Sequence, residues 1–405
     1  MSHAEQRETD RRRWLPATIF AMALCARLAF QAQFVGMRTP PQDDASQYDW
    51  IAWSLASGGP YMAADGLRSH RAPGYTFLLA AVYAMFGHSW AAARVAQALL
   101  GAATCLVIGR LGSRLFPGSI GWAAALVYAV DPYAIYFCGY LLSEPLCVLL
   151  TTASLLALVR AGSQRGWEAA WSCLCALATL TRPNMGLMLP LGLLWLLRRP
   201  GSGFRRCGLA LAVFCLTLLP WTVRNYSVYG RFVPVTTRGG YNLWLWNNTE
   251  LYADPWFRHH TVFSIDPLEH ERGHGSSEVE VDAAYTRMAF TSIRQHWDDM
   301  PRLMLSKFLA LWKVFPDLDS RLHRLVASAR MIAVIVLFVA GVWICWKAGD
   351  RGRLILLIPV LAVIWTALLF WGDGRVRAPA EPAILLVAVY AGSELVNRAR
   401  GLPAA

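Results

Sequence analysis

Three acidic side chains lie next to apolar segments of the chain and are candidates for catalysis. Asp43 and Asp44 are adjacent in a polar stretch after the first apolar run, and Glu144 directly precedes Pro145. A carboxylate of this kind can act as a general base that removes the proton of a hydroxyl group. Adjacent acids are also common in solvated loops, and an acid before proline fits the first turn of a helix. Both interpretations stay open from spacing alone.

Basic side chains at the ends of apolar segments form a second group of candidates. A guanidinium group can hold a phosphate, and charges at the membrane boundary usually line a polar site or meet a partner. Acids and arginines together suit transfer of a group from a phosphate to a hydroxyl. The candidates for substrate contact are His70, Arg71, Arg182, Arg224, Arg375 and Arg377. Arg375 and Arg377 would equally fit arginines that extend from a helix end to the membrane surface.

The tract Gly239–Asn248 mixes aromatic residues with side-chain amides, and Tyr241 and Asn242 are its candidates for substrate contact. Aromatic faces and amides suit sugar rings and hydroxyls, although aromatic residues also anchor loops at the membrane interface. Histidines without helical ligand spacing follow in the same region and are interpreted as loop residues: His259, His260, His270 and His274. No metal site is predicted from them.

The elements that must position these residues are membrane helices. Of the 405 residues, 56% are hydrophobic and only 16% are charged, against about 25% charged residues in soluble domains. Long apolar runs recur, and only helices or closed barrels satisfy the backbone inside lipid. We therefore predict an all-α, polytopic membrane protein of 10–11 transmembrane helices. The net charge of +12 lies in short clusters between apolar runs, which argues against nucleic-acid binding.

The positive clusters fall in alternate connections, which the positive-inside rule assigns to the cytoplasm. This orientation predicts a cytoplasmic N-terminus, an acidic first extracytoplasmic loop at 38–70 and a larger extracytoplasmic loop late in the chain. The predicted regions are a membrane module over 1–225, a loop region over 226–325 and membrane helices over 326–405. Segment 72–111 contains two apolar stretches, which would cross the membrane twice. The orientation, however, requires an odd number of crossings in this segment. One of the two stretches is therefore predicted to be re-entrant or kinked.

Several motifs, in their order along the chain, resemble the GT-C glycosyltransferases of bacterial family 39. That group is related to protein O-mannosyltransferases and to the aminoarabinose transferase of lipid A. The motifs are Asp43-Asp44-x-x-x-Tyr48, Arg71-x-Pro73-x-Tyr75, Leu142-Ser143-Glu144-Pro145, Thr181-Arg182-Pro183, Pro220-Trp221-x-x-Arg224-Asn225 and Arg375-x-Arg377-x-Pro379-x-x-Pro382. The resemblance extends over most of the chain.

The resemblance implies an inverting glycosyltransferase in the bacterial inner membrane. It would move a sugar from a polyprenyl-phosphate donor to an acceptor hydroxyl at the extracytoplasmic face. Asp44, four residues before Tyr48, would be the general base, with Asp43 as the fallback and Glu144 orienting the acceptor. The phosphate would be held by arginines from separate parts of the chain, namely Arg71, Arg182, Arg375 and Arg377.

One departure from the family concerns metal binding. The aminoarabinose transferase has a metal-binding glutamate where this chain has His70-Arg71 before Pro73, so a divalent metal is not expected and no cofactor is assigned. The acceptor is open among a lipid, a glycan and a protein. Two other functions stay open as well: a polytopic transporter or flippase, and a polysaccharide polymerase or ligase.

Overall fold

The computed structural model describes residues 3–199, 203–253, 268, 277–313, 321–350 and 352–401. Every regular element in these residues is a helix, which confirms the predicted all-α fold. The four histidines interpreted as loop residues lie outside the described residues.

The N-terminal half consists of helices joined by short connections. They are α1 His3–Phe30, α2 Asp43–Ala56, α3 Pro73–Phe86, α4 Trp90–Leu115, α5 Ile120–Val130, α6 Pro132–Gly139, α7 Glu144–Ala161, α8 Trp167–Thr181, α9 Met188–Leu197 and α10 Phe204–Tyr229. A π-helical turn, Gln31–Val35, extends α1, and a 3-10 helix, Pro183–Leu187, precedes α9.

The C-terminal half begins with short helices and ends with long ones. They are α11 Gly239–Leu245, α12 Thr249–Ala253, α13 Glu278–Gln295, α14 Met300–Leu311, α15 Arg321–Lys347, α16 Leu357–Leu369, α17 Gly374–Arg377 and α18 Glu381–Ala399. A capping box between Ser277 and Glu280 starts α13, which satisfies amides that a helix start otherwise leaves unpaired.

Six helices in the described part of the chain are long and apolar enough to cross a membrane, so the chain is a polytopic membrane protein, as predicted. They are Trp14–Val35, Trp90–Leu115, Glu144–Ala161, Phe204–Tyr229, Arg324–Lys347 and Gly374–Ala399. The bent pair α5 and α6 makes a seventh candidate. Three shorter apolar helices, 73–86, 183–197 and 353–369, must also cross if the predicted count of at least ten spans is to hold.

The apolar segment from Ile120 to Gly139 does not form one straight helix, because the chain bends by 53° between α5 and α6. Pro132 has no amide proton, so the helix cannot continue its hydrogen bonds through this position. Asp131 instead caps α6 by accepting from the amides of Tyr133 and Ala134, both at 3.0 Å. The carbonyls that the break leaves free accept from the buried Arg27, at 3.0 Å for Ala129 and 3.4 Å for Tyr128.

The amphipathic helix α2 is fixed against α3 and the start of α4. Its buried Asp49 accepts from the indole of Trp90 at 3.0 Å, lies 3.0 Å from His88 Nε2 and also accepts from the Tyr83 hydroxyl. A small apolar cluster around Tyr48 packs the same helix onto α3. These contacts therefore fix the position of the first turn of α2, which carries Asp44.

Candidate active site

Asp44 lies in the first turn of α2 and accepts hydrogen bonds from two guanidinium groups. Arg71, from the connection before α3, donates to Asp44 Oδ1. Arg375, on the four-residue helix α17, donates from Nη1 to Asp44 Oδ2 at 2.6 Å. Both oxygens of this half-buried carboxylate are therefore engaged by arginines that come from opposite ends of the sequence.

Glu144 opens α7 and is fully buried. Its Oε1 accepts from Arg182 Nη1 at 2.6 Å and also from Arg375 Nε. Arg375 thus bridges the two acids, with one nitrogen on Asp44 and another on Glu144. Glu144 Oε2 is buried and has no hydrogen-bond partner among the described residues.

The charges of this cluster do not cancel. Three guanidinium groups meet two carboxylates in it, namely Arg71, Arg182 and Arg375 with Asp44 and Glu144. Burial by itself would raise the pKa of Asp44, but the two guanidinium groups beside it hold that pKa far below its usual range. The cluster therefore carries an excess positive charge at neutral pH, which favours an anionic ligand.

Arg71 is oriented by the helix that carries Asp44. Its Nε donates to Gln47 Oε1 at 2.8 Å, and its guanidinium carbon lies 5.2 Å from the centre of the Tyr48 ring. Tyr48 in turn packs edge-on against Tyr75, with 5.1 Å between the ring centres. Asp44, Gln47 and Tyr48 are spaced three and four residues apart, so they share one face of the helix.

Asp43 does not join this cluster. It is exposed, and its backbone has a φ of +49°, in the left-handed region that non-glycine residues rarely adopt. This conformation at the helix start turns Asp43 to solvent, whereas Asp44 faces the arginines. The structure thereby brings Asp44, but not its neighbour Asp43, to the arginines.

His70, Arg238 and Tyr241 lie together beside the cluster and line an open cleft. Arg238 contacts His70 Nε2 and lies 5.0 Å from the centre of the Tyr241 ring. Burial, with Arg71 nearby, lowers the pKa of Arg238 to about 10, which still leaves it protonated at neutral pH. Asp282 on α13 holds α11 at this cleft by accepting from the amides of Gly240 at 2.8 Å and Tyr241 at 3.1 Å.

The remaining candidates take other positions. Asn242 follows Tyr241 on α11 and is half-buried. Arg224 donates to the carbonyls of Arg68 at 2.9 Å and Tyr61 at 3.0 Å, so it fastens the first loop instead of reaching Asp44. Arg377 is buried and pairs with Glu381 at 2.6 Å, apart from the cluster of Asp44 and Glu144.

The donor set of the site does not fit a divalent metal. Among the described residues, no three His, Cys, Asp or Glu side chains are placed to hold a metal ion together. The acids that are present face guanidinium groups, and His70 contacts Arg238. These cations would repel a metal ion, so no step of the chemistry below passes through one.

Sequence reasoning missed several side chains that shape this region. Gln47, which orients Arg71, could have been found from its position three residues after Asp44 on the same helix. Asp131 and Arg330, which pair at 2.6 Å, are charges within or beside apolar runs. Such intramembrane charges are a recognised sign of a functional or structural network.

The comparisons with known proteins concern the family and the fold. Residues 70–223 match the family described as dolichyl-phosphate-mannose-protein mannosyltransferase. No curated protein matches the sequence.

Solved structures of an archaeal oligosaccharyltransferase share the fold. The oligosaccharyltransferase AglB from Archaeoglobus fulgidus, in complex with an inhibitory peptide and a dolichol-phosphate, aligns with a TM-score of 0.55 at 12% identity, over 96% of this chain and 52% of that one. The same enzyme in complex with Zn and sulfate gives a TM-score of 0.57 at 13% identity, over 95% and 49% of the two chains. ArnT from Cupriavidus metallidurans gives a TM-score of 0.43 at 18% identity, over 97% and 78%.

The chain spans about half the length of the AglB structures that it matches. The likeness at this identity concerns the fold, and the family match covers the stretch from His70 to Val223. The chain therefore has a membrane fold like that of these oligosaccharyltransferases, and its residues 70–223 match the family described as dolichyl-phosphate-mannose-protein mannosyltransferase.

Proposed function

We propose that this protein is an inverting glycosyltransferase that takes a sugar from a polyprenyl-phosphate donor and attaches it to an acceptor hydroxyl. The observation that carries the proposal is the contact of Asp44 with both Arg71 and Arg375. It combines a candidate base with two candidate phosphate-binding groups in one half-buried cluster of a membrane protein with the GT-C fold. The family match and the dolichol-phosphate bound to AglB support a donor of this class.

The excess positive charge of the cluster suits the donor. A polyprenyl-phosphate sugar is a phosphodiester with one negative charge, and its cleavage leaves a monoester with a second charge at the phosphate. Arg71, Arg375 and Arg182 would bind the phosphate and stabilise the charge that develops as the sugar departs. Arginine suits this role because its fork of donors matches phosphate oxygens and stays protonated.

The chemical step needs one base. The acceptor oxygen attacks the anomeric carbon from the face opposite the phosphate, and its proton passes to Asp44. A new carbon–oxygen bond forms while the bond from the anomeric carbon to the phosphate oxygen breaks, and its electron pair stays with the polyprenyl phosphate. The configuration at the anomeric carbon is inverted by this single displacement.

A carboxylate held by two guanidinium groups is a poor base, because they keep its pKa far below neutral pH. We infer that the donor phosphate draws Arg71 and Arg375 away from Asp44 when it binds. The carboxylate then loses its cationic partners while it stays half-buried, and its affinity for a proton rises. Donor binding would thus activate the base, and the acceptor would react after the donor has bound.

The other site residues would serve this arrangement. Glu144 would keep Arg182 and Arg375 at the phosphate or orient the acceptor, and Tyr48 would support Arg71. The acceptor would enter through the cleft of His70, Arg238 and Tyr241 beside the cluster. By the charge pattern of the connections, the site faces the extracytoplasmic side of the bacterial inner membrane, with the N-terminus in the cytoplasm.

The test is sugar transfer by the purified protein in detergent. A panel of polyprenyl-phosphate sugars is supplied with membrane lipid, glycan and peptide acceptors, and the released polyprenyl phosphate is measured by mass spectrometry together with the product. We expect release for at least one donor in wild-type protein and none in Asp44→Asn. Labelled-substrate uptake into vesicles without release of polyprenyl phosphate would overturn the proposal in favour of a transporter.

A further inference from the structure

A second network of buried charges lies next to the candidate site, and the mechanism above does not use it. It consists of Asp131, Arg330, Arg377 and Glu381, called here the second ion network. Arg330 Nη2 lies 2.6 Å from Asp131 Oδ2 and 3.2 Å from Glu381 Oε2, and Arg377 Nε donates to Glu381 Oε1 at 2.6 Å. Two cations and two anions balance there, so this network does not attract an anion as the Asp44 cluster does.

The network joins helices that are far apart in the sequence. Asp131 stands at the break between α5 and α6, Arg330 comes from α15, and Glu381 begins α18. Three of these charges are buried and Arg330 is half-buried. Burying such charges is costly, and an apolar replacement of a buried ion network is often equally stable. Stability by itself is therefore a weak reason for its presence.

The network includes Arg377, which lies on the short helix α17 together with Arg375. Arg377, two residues after Arg375, lies on the other side of this turn and also donates to the carbonyl of Leu311 at 2.5 Å. A turn of four residues cannot hold its own conformation by internal hydrogen bonds. Its shape must therefore come from what packs on either side of it.

Tyr133 forms the packing surface on the network side. The guanidinium carbons of Arg330 and Arg377 lie 6.0 Å and 5.4 Å from the centre of its ring. Its hydroxyl packs so closely on Gly374 that a Cβ atom there would overlap it. Asp131, through its cap on the amide of Tyr133, links the position of this ring to the ion pair with Arg330.

We propose that Arg330 is a positioning residue, which acts through Tyr133, Arg377 and Glu381 to hold α17 so that Arg375 lies between Asp44 and Glu144, where the donor phosphate can replace its contact with Asp44. The inference rests on the proposed function, and it removes Arg377 from the residues that touch the phosphate. Arg375 contacts Asp44 with one nitrogen and Glu144 with another. A small rotation of α17 would break one of the two contacts.

The test is a double-mutant cycle between Arg330→Gln and Arg375→Lys, measured in turnover and in melting temperature in detergent. Arg330→Gln is expected to lower turnover at least about tenfold in wild-type protein but less than about threefold in Arg375→Lys, because it acts through Arg375. Arg330→Lys, which keeps a cation between the acids, should restore part of the loss. Arg206→Lys changes the separate ion pair with Glu168 and is the control. The losses caused by Arg330→Gln and Arg206→Lys should add.

Equal losses in both backgrounds, in turnover and in melting temperature, would overturn the positioning role. If wild-type protein transfers no sugar from any donor, the proposed function fails, and the melting-temperature cycle still decides the inference. If the changes in melting temperature caused by Arg330→Gln and Arg375→Lys do not add, whereas those caused by Arg330→Gln and Arg206→Lys do, the positioning of Arg375 is supported. If the changes add for both pairs of substitutions, the inference is overturned.

Discussion

Arg375 Nη1 donates to Asp44 Oδ2 at 2.6 Å, across 331 residues of sequence. The contact joins the first extracytoplasmic segment of the prediction to the turn before the last helix. Because the same guanidinium also contacts Glu144, one side chain fixes the separation of the two acids. The predictions below follow from this arrangement and from the buried groups that maintain it.

Replacing Asp44 with Asn should remove the base while keeping the shape of the side chain. A general base contributes about 10²–10⁴-fold, so we expect turnover to fall at least about a hundredfold. Donor binding should be retained or become tighter, because the amide no longer competes with the phosphate for Arg71 and Arg375. Turnover and the Kd for polyprenyl phosphate are the measurements.

Asp43→Asn is the matched control, since Asp43 is the exposed neighbour of the same charge. It should keep turnover within about twofold of wild type, as surface changes usually do. Full turnover in Asp44→Asn, or an equal loss in both variants, would contradict the assignment of the base.

Arg375→Lys should damage the site although it keeps the charge. A lysine presents a single nitrogen, whereas the guanidinium of Arg375 reaches both Asp44 and Glu144. We expect a loss of about 10–100-fold in kcat/KM with a higher KM for the donor, because bidentate phosphate contacts need the planar fork. Steady-state kinetics over a donor series measures this.

Arg231→Lys serves as the control for an arginine-to-lysine change, because Arg231 forms an exposed ion pair with Glu280 at 3.5 Å. It should leave both kinetic constants unchanged. A kcat/KM in Arg375→Lys equal to that of this control would exclude Arg375 from phosphate binding.

The pH dependence of kcat/KM should reveal the effect of Arg375 on Asp44. The lowered pKa means that Asp44 of the free enzyme takes up a proton only in strong acid, so its protonation should not reduce wild-type activity between about pH 5 and 8. Arg375→Gln removes one of the two stabilising cations and thereby raises the pKa. The acid limb should then move to higher pH, and an unmoved limb would contradict the coupling.

The same shift makes a contribution to stability with a defined sign. Asp44 stabilises the fold above its unfolded pKa of about 3.9, and this contribution is lost as the pH falls toward the lower folded value.

How far the sequence predicts the site can be judged from neighbouring residues. The convergence of Asp44, Arg71, Glu144 and Arg375 was predictable, because motif order and the side assignment of the connections put them at one face. Arg377 was predicted to act with Arg375, but residues two apart on a helical turn point in different directions. In the structure, Arg375 accordingly pairs with the acids of the candidate site, whereas Arg377 pairs with Glu381.

Other features depended on contacts that no local pattern contains. Arg224 fits a phosphate ligand by type, yet its donors are taken by the carbonyls of Tyr61 and Arg68, in a loop more than 150 residues earlier. Asp131 lies within an apolar run, in which Pro132 is the only nearby residue that indicates a helix break. Its partner Arg330 lies 199 residues away, so the ion pair could not be derived from spacing.

Glu144→Gln should lower the stability of the protein as well as its activity. The carboxylate is fully buried between Arg182 and Arg375, and removing one partner of a buried ion pair costs about 3–5 kcal/mol because the other charge stays behind. A clear fall in the melting temperature in detergent is therefore expected. Glu280→Gln, at the exposed pair with Arg231, should leave the melting temperature nearly unchanged, and similar values for the two variants would contradict the burial of Glu144 between charges.

Lys307 should give the stability of the protein a distinctive pH dependence. It is fully buried on α14, where its Nζ donates to Asn247 Oδ1 at 3.0 Å, and burial lowers its pKa from 10.5 to about 7. Between these two values the unfolded chain binds a proton that the folded protein has lost. The free energy of unfolding must therefore increase as the pH rises through this range.

The measurement is the melting temperature in detergent from pH 6 to 10 for wild type and Lys307→Met, which keeps the length of the side chain without its charge. The wild-type curve should rise with pH relative to the variant, by at most about 1.4 kcal/mol of unfolding free energy for each pH unit. Lys347→Met removes an exposed lysine and should follow the wild-type curve. Parallel curves for wild type and Lys307→Met would show that Lys307 does not lose its proton in the folded protein.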